Sequence, residues 1–460
     1  MRKPASRYTP ARIWAYWRLN GYWRRLNKSI TDGEVFKLET KRIIATYLVE
    51  TPFTLEQAAA SIAGEQSTGT FTAVPGETAS LKDRHGARIE CITPLEQVGQ
   101  PSLPGAVVPK GHNGIYSRGE VVVSFPLHNF GPSIPNLMAC VAGNLYELRE
   151  LSGLRLLDLE LPDDFAACYP GPRFGIEGTR RLTGVYNRPI IGTIIKPSVG
   201  LGPADLESLV YKLAVSGLDF IKDDELNADP PYFPLQDKVV TVARAIERAA
   251  DVTGRKVMYA FNITGDIDAL KRNHDLVVKA GGNCVMVSMN SVGIAGLAYL
   301  NTFSEVPIHG HRNQWGMLTR HGQLGMDFRA YQKLCRLAGA DHLHVNGLGS
   351  KFYETDDSVV SSVQACMQPL LGGYATMPVL SSGQWAGTAA VTFERTRTVD
   401  VMHLAGGGIL AHPDGPVAGV ESMKQGWEAA IRGISAEDYA KDRVELRRAF
   451  DKFLRKDHAQ

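Results

Sequence analysis

The sequence predicts an α/β protein whose C-terminal part is a closed (β/α)₈ barrel of the TIM type. From residue 188 onward, short apolar runs alternate strictly with segments of helix length. Strands that alternate with helices form a parallel sheet, and eight such units in roughly 250 residues are typical of a barrel. An open sheet of six to eight strands is the alternative, but no GxGxxG motif follows the first run.

The order of the predicted elements supports the barrel. The predicted strands are Pro189–Lys196, Leu218–Glu225, Lys256–Thr264, Asn283–Met289, Val306–Arg312, His342–Gly347, Met377–Gly383 and Val401–Gly407. The segments of helix length between and after them include Pro203–Val215, Val239–Ala250, Ile267–Ala280, Asp327–Ala338, Ser358–Leu370 and Val417–Ile431. We therefore expect a catalytic barrel domain over residues 176–460.

Residues 37–175 differ in pattern and predict an N-terminal α+β domain of the ferredoxin-like type. Its predicted strands are Thr40–Thr51, Gly119–Pro126 and Leu154–Leu161, and its predicted helices are Leu55–Gly64 and Ile134–Leu151. The Pro170-Gly-Pro172 tract is rich in turn-forming residues and indicates the boundary between the domains.

Residues 1–36 form a basic, aromatic extension. Eight lysines and arginines precede the first acid, Asp32, and three of the six tryptophans lie among them. Such a segment could be a membrane-surface helix or a nucleic-acid arm. We favour an extension that packs on the body of the protein or on a partner subunit.

The composition of the whole chain excludes several classes. A net charge of +2 implies no polyanionic partner, and we expect no nucleic-acid binding. No apolar run approaches the length of a transmembrane helix. The six cysteines are far apart and form no CxxC pair, which favours a reduced, cytoplasmic protein without a zinc site.

The segment Gly217-Leu-Asp-Phe-Ile-Lys-Asp-Asp-Glu225 holds the strongest chemical signal. An apolar strand ends in one lysine and three acids, and ionised groups are seldom buried unless they are paired or bind a metal. Carboxylates one residue apart suit Mg²⁺. The alternative is a strand end whose acids pair with Lys222.

Polar residues collect where the other predicted strands end, and the carboxyl ends of barrel strands carry active sites. These residues include Lys196, Asn262, Thr264, His309, His311, Arg312, His342, His344, Ser381, Ser382, Gly383 and Gly406 to Gly408. His309 with His311, and His342 with His344, are spaced two apart and so share one face of their strand. So many polar strand ends indicate a functional site.

The chain resembles the large subunit of ribulose-bisphosphate carboxylase/oxygenase (RuBisCO) and its RuBisCO-like relatives over about residues 40–435. The motifs in the barrel are Gly192-Thr-Ile-Ile-Lys-Pro197, Gly217–Glu225, His311-Arg312, Asp341-His-Leu-His344, Lys351, Ser381 with Gly383, and Gly406-Gly-Gly408 with His412-Pro413. In the N-terminal domain, Glu65-Gln-Ser-Thr-Gly-Thr70 and Gly143-Asn144 resemble segments that complete the site of the partner subunit. The resemblance therefore implies a homodimer or a dimer-based oligomer.

The resemblance also implies a set of roles. Lys222, carbamylated by CO₂, would bind Mg²⁺ together with Asp224 and Glu225, and Mg²⁺ would stabilise an enolate as a Lewis acid. Lys196, Lys222, His311 and Lys351 would be catalytic. Substrate or phosphate would be bound by Arg312, His344, Ser381, Gly383, Gly406, Gly407 and Thr70, and the partner subunit would contribute Glu65 and Asn144.

Departures from RuBisCO surround one end of the expected substrate. The family's second lysine after the first strand is Ser198 here, Phe71 replaces a tryptophan, and Ser382 interrupts a Ser-Gly-Gly motif. The histidine that follows this motif in RuBisCO is absent, and the segment Asn313–His321 has its own sequence. These changes argue against a second phosphate site and against carboxylation of ribulose bisphosphate.

Lys351 stands where the family has a mobile-loop lysine that contacts a carboxylate. We therefore expect decarboxylation, or transcarboxylation with hydrolysis, of a phosphorylated 3-oxo acid such as 3-oxo-isoapionate 4-phosphate. The alternatives are a methionine-salvage enolase or isomerase acting on a methylthio sugar phosphate, a true ribulose-bisphosphate carboxylase, and a non-catalytic regulatory protein. In each enzymatic case the small-molecule partner is a phosphorylated keto acid or ketose.

Overall fold

The structure, a computed structural model, describes residues 41–69 and 74–457. The chain divides into two compact units between Pro170 and Gly171. The predicted extension 1–36 and the predicted anion ligand Thr70 lie outside the described residues. Among the described residues, no helix is long and apolar enough to cross a membrane.

The first unit is built on an antiparallel sheet whose strands lie in the order β4-β1-β3-β2. The strands are β1 (Arg42–Thr51), β2 (Arg88–Val98), β3 (Tyr116–Pro126) and β4 (Gly153–Glu160). Its helices are Leu55–Glu65, Ala79–His85, Ile134–Ala142 and Asp164–Cys168, with 3₁₀ turns at Leu127–Asn129 and Asn144–Glu147. Alternate residues of β1, from Ile43 to Val49, are fully buried, as expected for a strand with one face on a core.

The unit differs from the sequence prediction in several elements, among them the short helices Ala79–His85 and Asp164–Cys168, which were not predicted. The stretch Ile134–Leu151 is not one helix, because the helix ends at Ala142 and a 3₁₀ turn follows Gly143. Strand β2 was not predicted. It is almost entirely exposed and has two irregularities in its pairing with β3, so its sequence lacks the apolar alternation by which strands are recognised.

The second unit contains a closed, eight-stranded parallel barrel, which confirms the predicted fold class. Its strands in chain order are β5 (Ile190–Ile194), β6 (Phe220–Lys222), β7 (Met258–Asn262), β8 (Cys284–Ser288), β9 (Ile308–His311), β11 (His342–His344), β12 (Met377–Leu380) and β13 (Met402–Leu404). The short strand β10 (Leu324–Met326) lies outside the barrel. Pairing of β9 with β11 and of β13 with β5 closes the ring.

Helices accompany the barrel strands as predicted. They are Gly175–Thr183, Pro203–Val215, Leu235–Thr253, Ile267–Lys279, Met289–Phe303, Trp315–Thr319, Phe328–Leu337, Asp356–Met367, Thr388–Thr396, Gly407–Leu410, Gly415–Arg432, Ala436–Ala440 and Val444–Asp457. All six predicted barrel helices are present, and Pro203–Val215 has the predicted bounds.

The eight predicted strands are all present but shorter than expected. The difference is mostly at their carboxyl ends, where the chain leaves the ladder at the first polar residues. The strand predicted as Leu218–Glu225, for example, ends at Lys222. Beneath this end, the barrel is filled by apolar side chains that include Ile190, Phe220, Met286 and Met377.

Candidate active site

A cavity of about 710 Å³ opens at the carboxyl ends of the barrel strands. Every barrel residue to which the resemblance assigns a role lines it: Lys196, Lys222, Asp224, Glu225, His311, Arg312, His344, Lys351, Ser381, Gly383, Gly406 and Gly407. Five other residues at the predicted strand ends do not line it: Asn262, Thr264, His309, His342 and Gly408. A volume of this size suits a small organic molecule. The residues come from six different strand ends or the loops that follow them, so the barrel fold brings them together.

Lys222 is the last residue of β6 and is completely buried. Its Nζ donates a hydrogen bond to the backbone oxygen of Asp223 at 2.7 Å and lies 3.7 Å from Oε2 of Glu225. Burial lowers the pKa of Lys222, and the surrounding acids offset only part of this effect. The amine therefore loses its proton more readily than an ordinary lysine.

Asp224 faces the cavity and is paired with Lys196. Its Oδ2 lies 2.5 Å from Nζ of Lys196, which also donates to Oγ of Ser198 at 2.8 Å. Burial acts to raise the pKa of Asp224, but hydrogen bonds from Lys196 and from the backbone N–H of Leu226 outweigh it and the pKa is lowered. Asp224 therefore remains a carboxylate at neutral pH.

Asp223 points away from the cavity and has a structural role. Its carboxylate accepts hydrogen bonds from the hydroxyl of Tyr259 at 2.6 Å and from the backbone N–H of Asn262 at 2.9 Å. The ammonium of Lys238, itself fully buried, lies 3.0 Å away. Because every one of these partners is buried, Asp223 anchors the end of β6 to β7 and cannot be one of the cavity acids.

His311 faces Glu225 across the cavity. Its Nε2 lies 3.5 Å from Oε2 of Glu225, and its Nδ1 accepts the backbone N–H of Asn313 at 3.2 Å. Burial, followed by the charge of Lys222, lowers the pKa of His311 to about 4. The ring is therefore neutral at pH 7 and carries its proton on Nε2, the nitrogen nearest Glu225.

Arg312 is held by an acid that the sequence analysis did not single out. Its Nη2 lies 2.5 Å from Oε2 of Glu354, which also accepts from Nδ2 of Asn346 at 2.6 Å. Oε1 of Glu354 accepts from Oγ of Ser358 at 2.9 Å. Among the residues that the structure describes, Nη1 of Arg312 has no hydrogen-bond partner although it is buried. The hydrogen-bonding capacity of this N–H edge is therefore unused by the described residues.

An aromatic wall encloses this side of the cavity. Its aromatic members are Trp315, Phe352 and Tyr353. They are joined by Met317 and by Arg320, whose guanidinium group lies 5.1 Å from the centre of the Tyr353 ring. Two of its segments, 315–320 and 351–354, follow β9 and β11. The segment Asn313–His321 was recognised in the sequence as distinctive, but no local pattern indicated which of its side chains face the cavity.

The opposite side of the cavity is formed by Ser381, Gly383, Gly406 and Gly407. Gly383 has a φ of +80°, a backbone conformation that favours glycine, and it lies against the backbone of Lys351. A side chain on Gly407 would meet no atom within 4 Å, so this glycine leaves the cavity open. Gly408, in contrast, is packed against the backbone of Gln384 and Trp385.

Lys351 and the two predicted partner-subunit residues complete the predicted set. Lys351 is exposed on the loop after β11, with its Nζ 5.3 Å from the centre of the Phe352 ring. Glu65 and Asn144 belong to the first unit, where Glu65 ends a helix and Asn144 begins a 3₁₀ turn. With its amide oriented to satisfy its partners, Gln66 accepts from the backbone N–H of Asn144 at 2.9 Å, so these two ends are adjacent.

The donor set at the end of β6 fits a hard divalent cation. Asp224 and Glu225 supply two carboxylates, and Mg²⁺ usually takes one or two from the protein. Across residues 41–69 and 74–457, no group of three or more His, Cys, Asp or Glu side chains is arranged to hold a metal. A third protein oxygen would have to come from Lys222, which could supply it as a carbamate.

The chain matches two models of one protein family. Residues 175–453 match the catalytic domain of the ribulose bisphosphate carboxylase large chain, and residues 33–165 match the N-terminal domain of the same chain. A crystal structure of a rubisco-like protein from Burkholderia fungorum superimposes with a TM-score of 0.84 at 44% identity. It covers 89% of this chain and 99% of the other.

Two relatives have names that state an activity. The 3-oxo-isoapionate-4-phosphate transcarboxylase/hydrolase of Xanthobacter autotrophicus is 49% identical over 89% of this chain and 99% of the relative. The 3-oxo-isoapionate-4-phosphate decarboxylase of Rhizobium etli is 46% identical over 89% of this chain and 98% of the relative. These matches and the eight-stranded barrel show that the chain belongs to the ribulose bisphosphate carboxylase large-chain family, as a RuBisCO-like protein.

Proposed function

We propose that this protein is a Mg²⁺-dependent RuBisCO-like enzyme that removes the carboxyl group of 3-oxo-isoapionate 4-phosphate or a close analogue. The removal is a direct decarboxylation or a transcarboxylation followed by hydrolysis. The observation that carries the proposal is a single cavity in which Lys196, Lys222, Asp224 and Glu225 face Lys351. The two relatives with 46% and 49% identity support the choice of substrate.

Lys222, Asp224 and Glu225 would hold the Mg²⁺ ion. Neutral Lys222 can attack CO₂ to form a carbamate with release of one proton, and its lowered pKa favours the neutral amine that this step requires. The bound cation would supply Lewis-acid stabilisation of the negative charge that develops on the substrate. The family that the chain belongs to supports this assignment.

The chain's own residues would handle the carbon and its proton. When the bond to the carboxylate breaks, its electron pair enters the adjacent carbonyl group, CO₂ leaves, and the resulting enolate needs a proton on carbon. Lys196 is a suitable donor, because its ammonium group is fixed 2.5 Å from Asp224 while 46% of its side chain remains exposed to take up a new proton. Neutral His311, with its proton on Nε2, would donate a hydrogen bond to the enolate oxygen.

The substrate's charged groups would be bound at the two sides of the cavity. Arg312, which lines the cavity and whose Nη1 has no partner among the described residues, would bind the phosphate, and Lys351 would pair with the carboxylate that departs. The backbone N–H groups of Gly406 and Gly407 would contact an oxygen at the far side. Trp315 and Tyr353 would exclude water from the reacting carbon.

The functional unit would be a homodimer or a dimer-based oligomer. Gln66, which follows Glu65, is hydrogen-bonded to Asn144 in the first unit, so the segments that carry Glu65 and Asn144 are adjacent. In the proposal these segments complete the cavity of the partner subunit. Size-exclusion chromatography with light scattering at assay concentration would test this part, and a monomer with full activity would contradict it.

The direct test is turnover of 3-oxo-isoapionate 4-phosphate by the purified protein with Mg²⁺ and bicarbonate. CO₂ and the phosphorylated ketose would be measured together. Equal amounts of both products, without a lag, would support decarboxylation. A carboxylated acceptor that precedes free inorganic carbon would support transcarboxylation and hydrolysis.

Matched variants make the test specific to the cavity. Lys196→Met should abolish product formation, whereas Lys212→Met, on the outer helix Pro203–Val215, should not. If the wild-type protein leaves this substrate unchanged but enolises a diketo methylthio phosphate, the methionine-salvage alternative replaces the proposal.

A further inference from the structure

Three buried histidines form a hydrogen-bonded string across the interior of the barrel. The histidine string consists of His342, His309 and His344. Nδ1 of His342 lies 3.3 Å from Nδ1 of His309, and Nε2 of His309 lies 2.8 Å from Nε2 of His344. Nε2 of His342 contacts Oγ1 of Thr179 at 2.8 Å at one end, and Nδ1 of His344 contacts Oγ of Ser381 at 3.1 Å at the other.

All three imidazoles are neutral. Burial lowers the pKa of His342 to about 3, and it lowers the pKa of His309 and of His344 well below the ordinary value of 6.5. A neutral imidazole has one N–H donor and one nitrogen acceptor. Since all six ring nitrogens are hydrogen-bonded, every donor along the string must point the same way.

Thr179 determines which way that is. Its hydroxyl group has one proton, and Oγ1 donates it to the backbone oxygen of Gly175 at 2.5 Å. Oγ1 must therefore accept from Nε2–H of His342. It follows that His309 carries its proton on Nδ1 and donates to His342, that His344 carries its proton on Nε2 and donates to His309, and that Ser381 donates to Nδ1 of His344.

We propose that Thr179 is a positioning residue for the cavity, and that through the histidine string it makes Ser381 a hydrogen-bond acceptor toward a bound molecule. The proton of Ser381 is used inside the protein, while its lone pairs face the cavity that Ser381 lines. His344 has both ring nitrogens occupied, so it offers no N–H to an anion. The side of the cavity at Ser381 therefore selects a donor group, such as a substrate hydroxyl, over an unprotonated phosphate oxygen.

The direction of the string rests on these hydrogen bonds between neutral rings, whereas its consequence for substrate choice rests on the proposed function. If it holds, the phosphate of the substrate lies toward Arg312 and a hydroxyl group lies against Ser381. The residue that sets this preference lies on the helix Gly175–Thr183, which precedes β5 and does not line the cavity.

Histidine tautomers can be read directly from nitrogen chemical shifts in protein labelled with ¹⁵N-histidine, with no substrate present. We expect Nε2–H for His342, Nδ1–H for His309 and Nε2–H for His344, assigned by single His→Gln substitutions. Thr179→Val keeps the shape of the side chain but removes the acceptor, so all three tautomers should reverse. The opposite tautomers in wild type, or no change in Thr179→Val, would overturn the proposal.

Two control variants distinguish a reversal of the hydrogen bonds in the histidine string from a general disturbance of the core. Thr183→Val alters a hydroxyl one turn further along the same helix, which bonds only to backbone oxygens, and should leave the tautomers unchanged. Ser381→Ala removes the cavity end of the string and should also leave them unchanged, because Thr179 still sets the direction.

Binding of inorganic phosphate tests the consequence at the cavity. In Thr179→Val the reversed string turns the Ser381 proton toward the cavity, so phosphate should bind about tenfold more tightly than to wild type. The gain should disappear in Thr179→Val/Ser381→Ala. Equal phosphate affinity in wild type and Thr179→Val would refute the acceptor role of Ser381. Since this assay needs no substrate, its result is independent of whether the proposed reaction is right.

Discussion

The two ends of strand β6 carry acids that serve opposite purposes. At the start, Asp219 is 1% exposed and accepts four hydrogen bonds, two from Arg188, one from Arg255 and one from the backbone N–H of Ile191. At the other end, the described residues give Asp224 one cation, Lys196, and one backbone N–H, that of Leu226. Among the same residues, Oε2 of Glu225 approaches His311 and Lys222, at 3.5 and 3.7 Å.

This difference shows how to separate a structural charge from a functional one. The oxygens of Asp219 are fully used by fixed donors, so nothing is left for a ligand. Asp224 and Glu225 keep unused lone pairs facing a cavity, which is costly unless a further partner binds there. The position agrees, because the carboxyl end of a barrel carries function and the amino end carries stability.

The largest expected effect comes from a substitution at the carboxyl end of β6, where the cavity lies. Lys222→Met should reduce turnover of the proposed substrate at least a thousandfold, equivalent to about 4 kcal/mol of transition-state stabilisation. The free energy of unfolding should change by less than about 1 kcal/mol, because methionine fills a similar volume and the buried carboxylate of Asp224 keeps its pair with Lys196. Steady-state kinetics and urea unfolding measure the two quantities. Substantial activity in the variant would exclude Lys222 as a metal ligand.

A substitution at the amino end of β6 should instead lower the stability and leave the turnover unchanged. Asp219→Asn leaves Arg188 and Arg255 beside a neutral amide and should lower the free energy of unfolding by about 3 kcal/mol. Turnover per folded molecule should remain near that of wild type, because Asp219 does not line the cavity. Urea unfolding and an active-site titration would be done on the same preparation. Loss of activity at full folding would show that the two ends of β6 are coupled.

The sequence predicted the residues at the carboxyl end of β6 well, but it did not predict the partners of the structural acids. Lys222, Asp224 and Glu225 were found because an apolar strand that ends in charges is a local pattern, and the barrel follows from periodicity. The partners of Asp219 and Asp223 are 15 to 39 residues away and lie on other elements, so no local pattern joins them. Glu354 was missed for the same reason, since only the fold brings it to Arg312, 42 residues earlier.

His403 is, like Asp219, a buried side chain whose polar atoms all have hydrogen-bond partners, and it can also take up a proton. Its Nδ1 accepts from Nε1 of Trp427 at 2.7 Å, and its Nε2 donates to Oε1 of Gln384 at 3.0 Å. Burial lowers the pKa of His403 to about 3. In the unfolded chain the imidazole of His403 takes up a proton near pH 6.5, whereas in the folded protein it stays neutral down to about pH 3. The contribution of His403 to the free energy of unfolding is therefore complete above pH 6.5 and falls as the pH drops toward 3.

The contribution of His403 can be measured as a slope. Below pH 6 the wild-type free energy of unfolding should fall by about 1.4 kcal/mol per pH unit more than that of His403→Gln. Urea unfolding at several pH values and one protein concentration would give both slopes. Turnover at neutral pH should be unaffected. Parallel slopes would mean that His403 is protonated in the folded protein.

The smallest expected effect concerns Arg312, which combines both kinds of environment. Glu354 saturates Nη2, as the partners of Asp219 do, while the buried Nη1 stays without a partner among the described residues. Glu354→Gln keeps the shape and the contacts to Asn346 and Ser358 but removes the charge that competes with a bound anion. Phosphate should then bind several-fold more tightly, an effect of about 1 kcal/mol.

Glu394→Gln is the matched control, because Glu394 is an exposed acid on the outer helix Thr388–Thr396. Calorimetric titration of both variants with inorganic phosphate at fixed ionic strength would compare them. Tighter binding in Glu354→Gln alone would show that Arg312 binds the anion and that Glu354 limits its affinity. Weaker binding would show that Glu354 instead holds Arg312 in its binding position. In that case the acid would belong with Asp219, as part of the scaffold rather than as a competitor of the ligand.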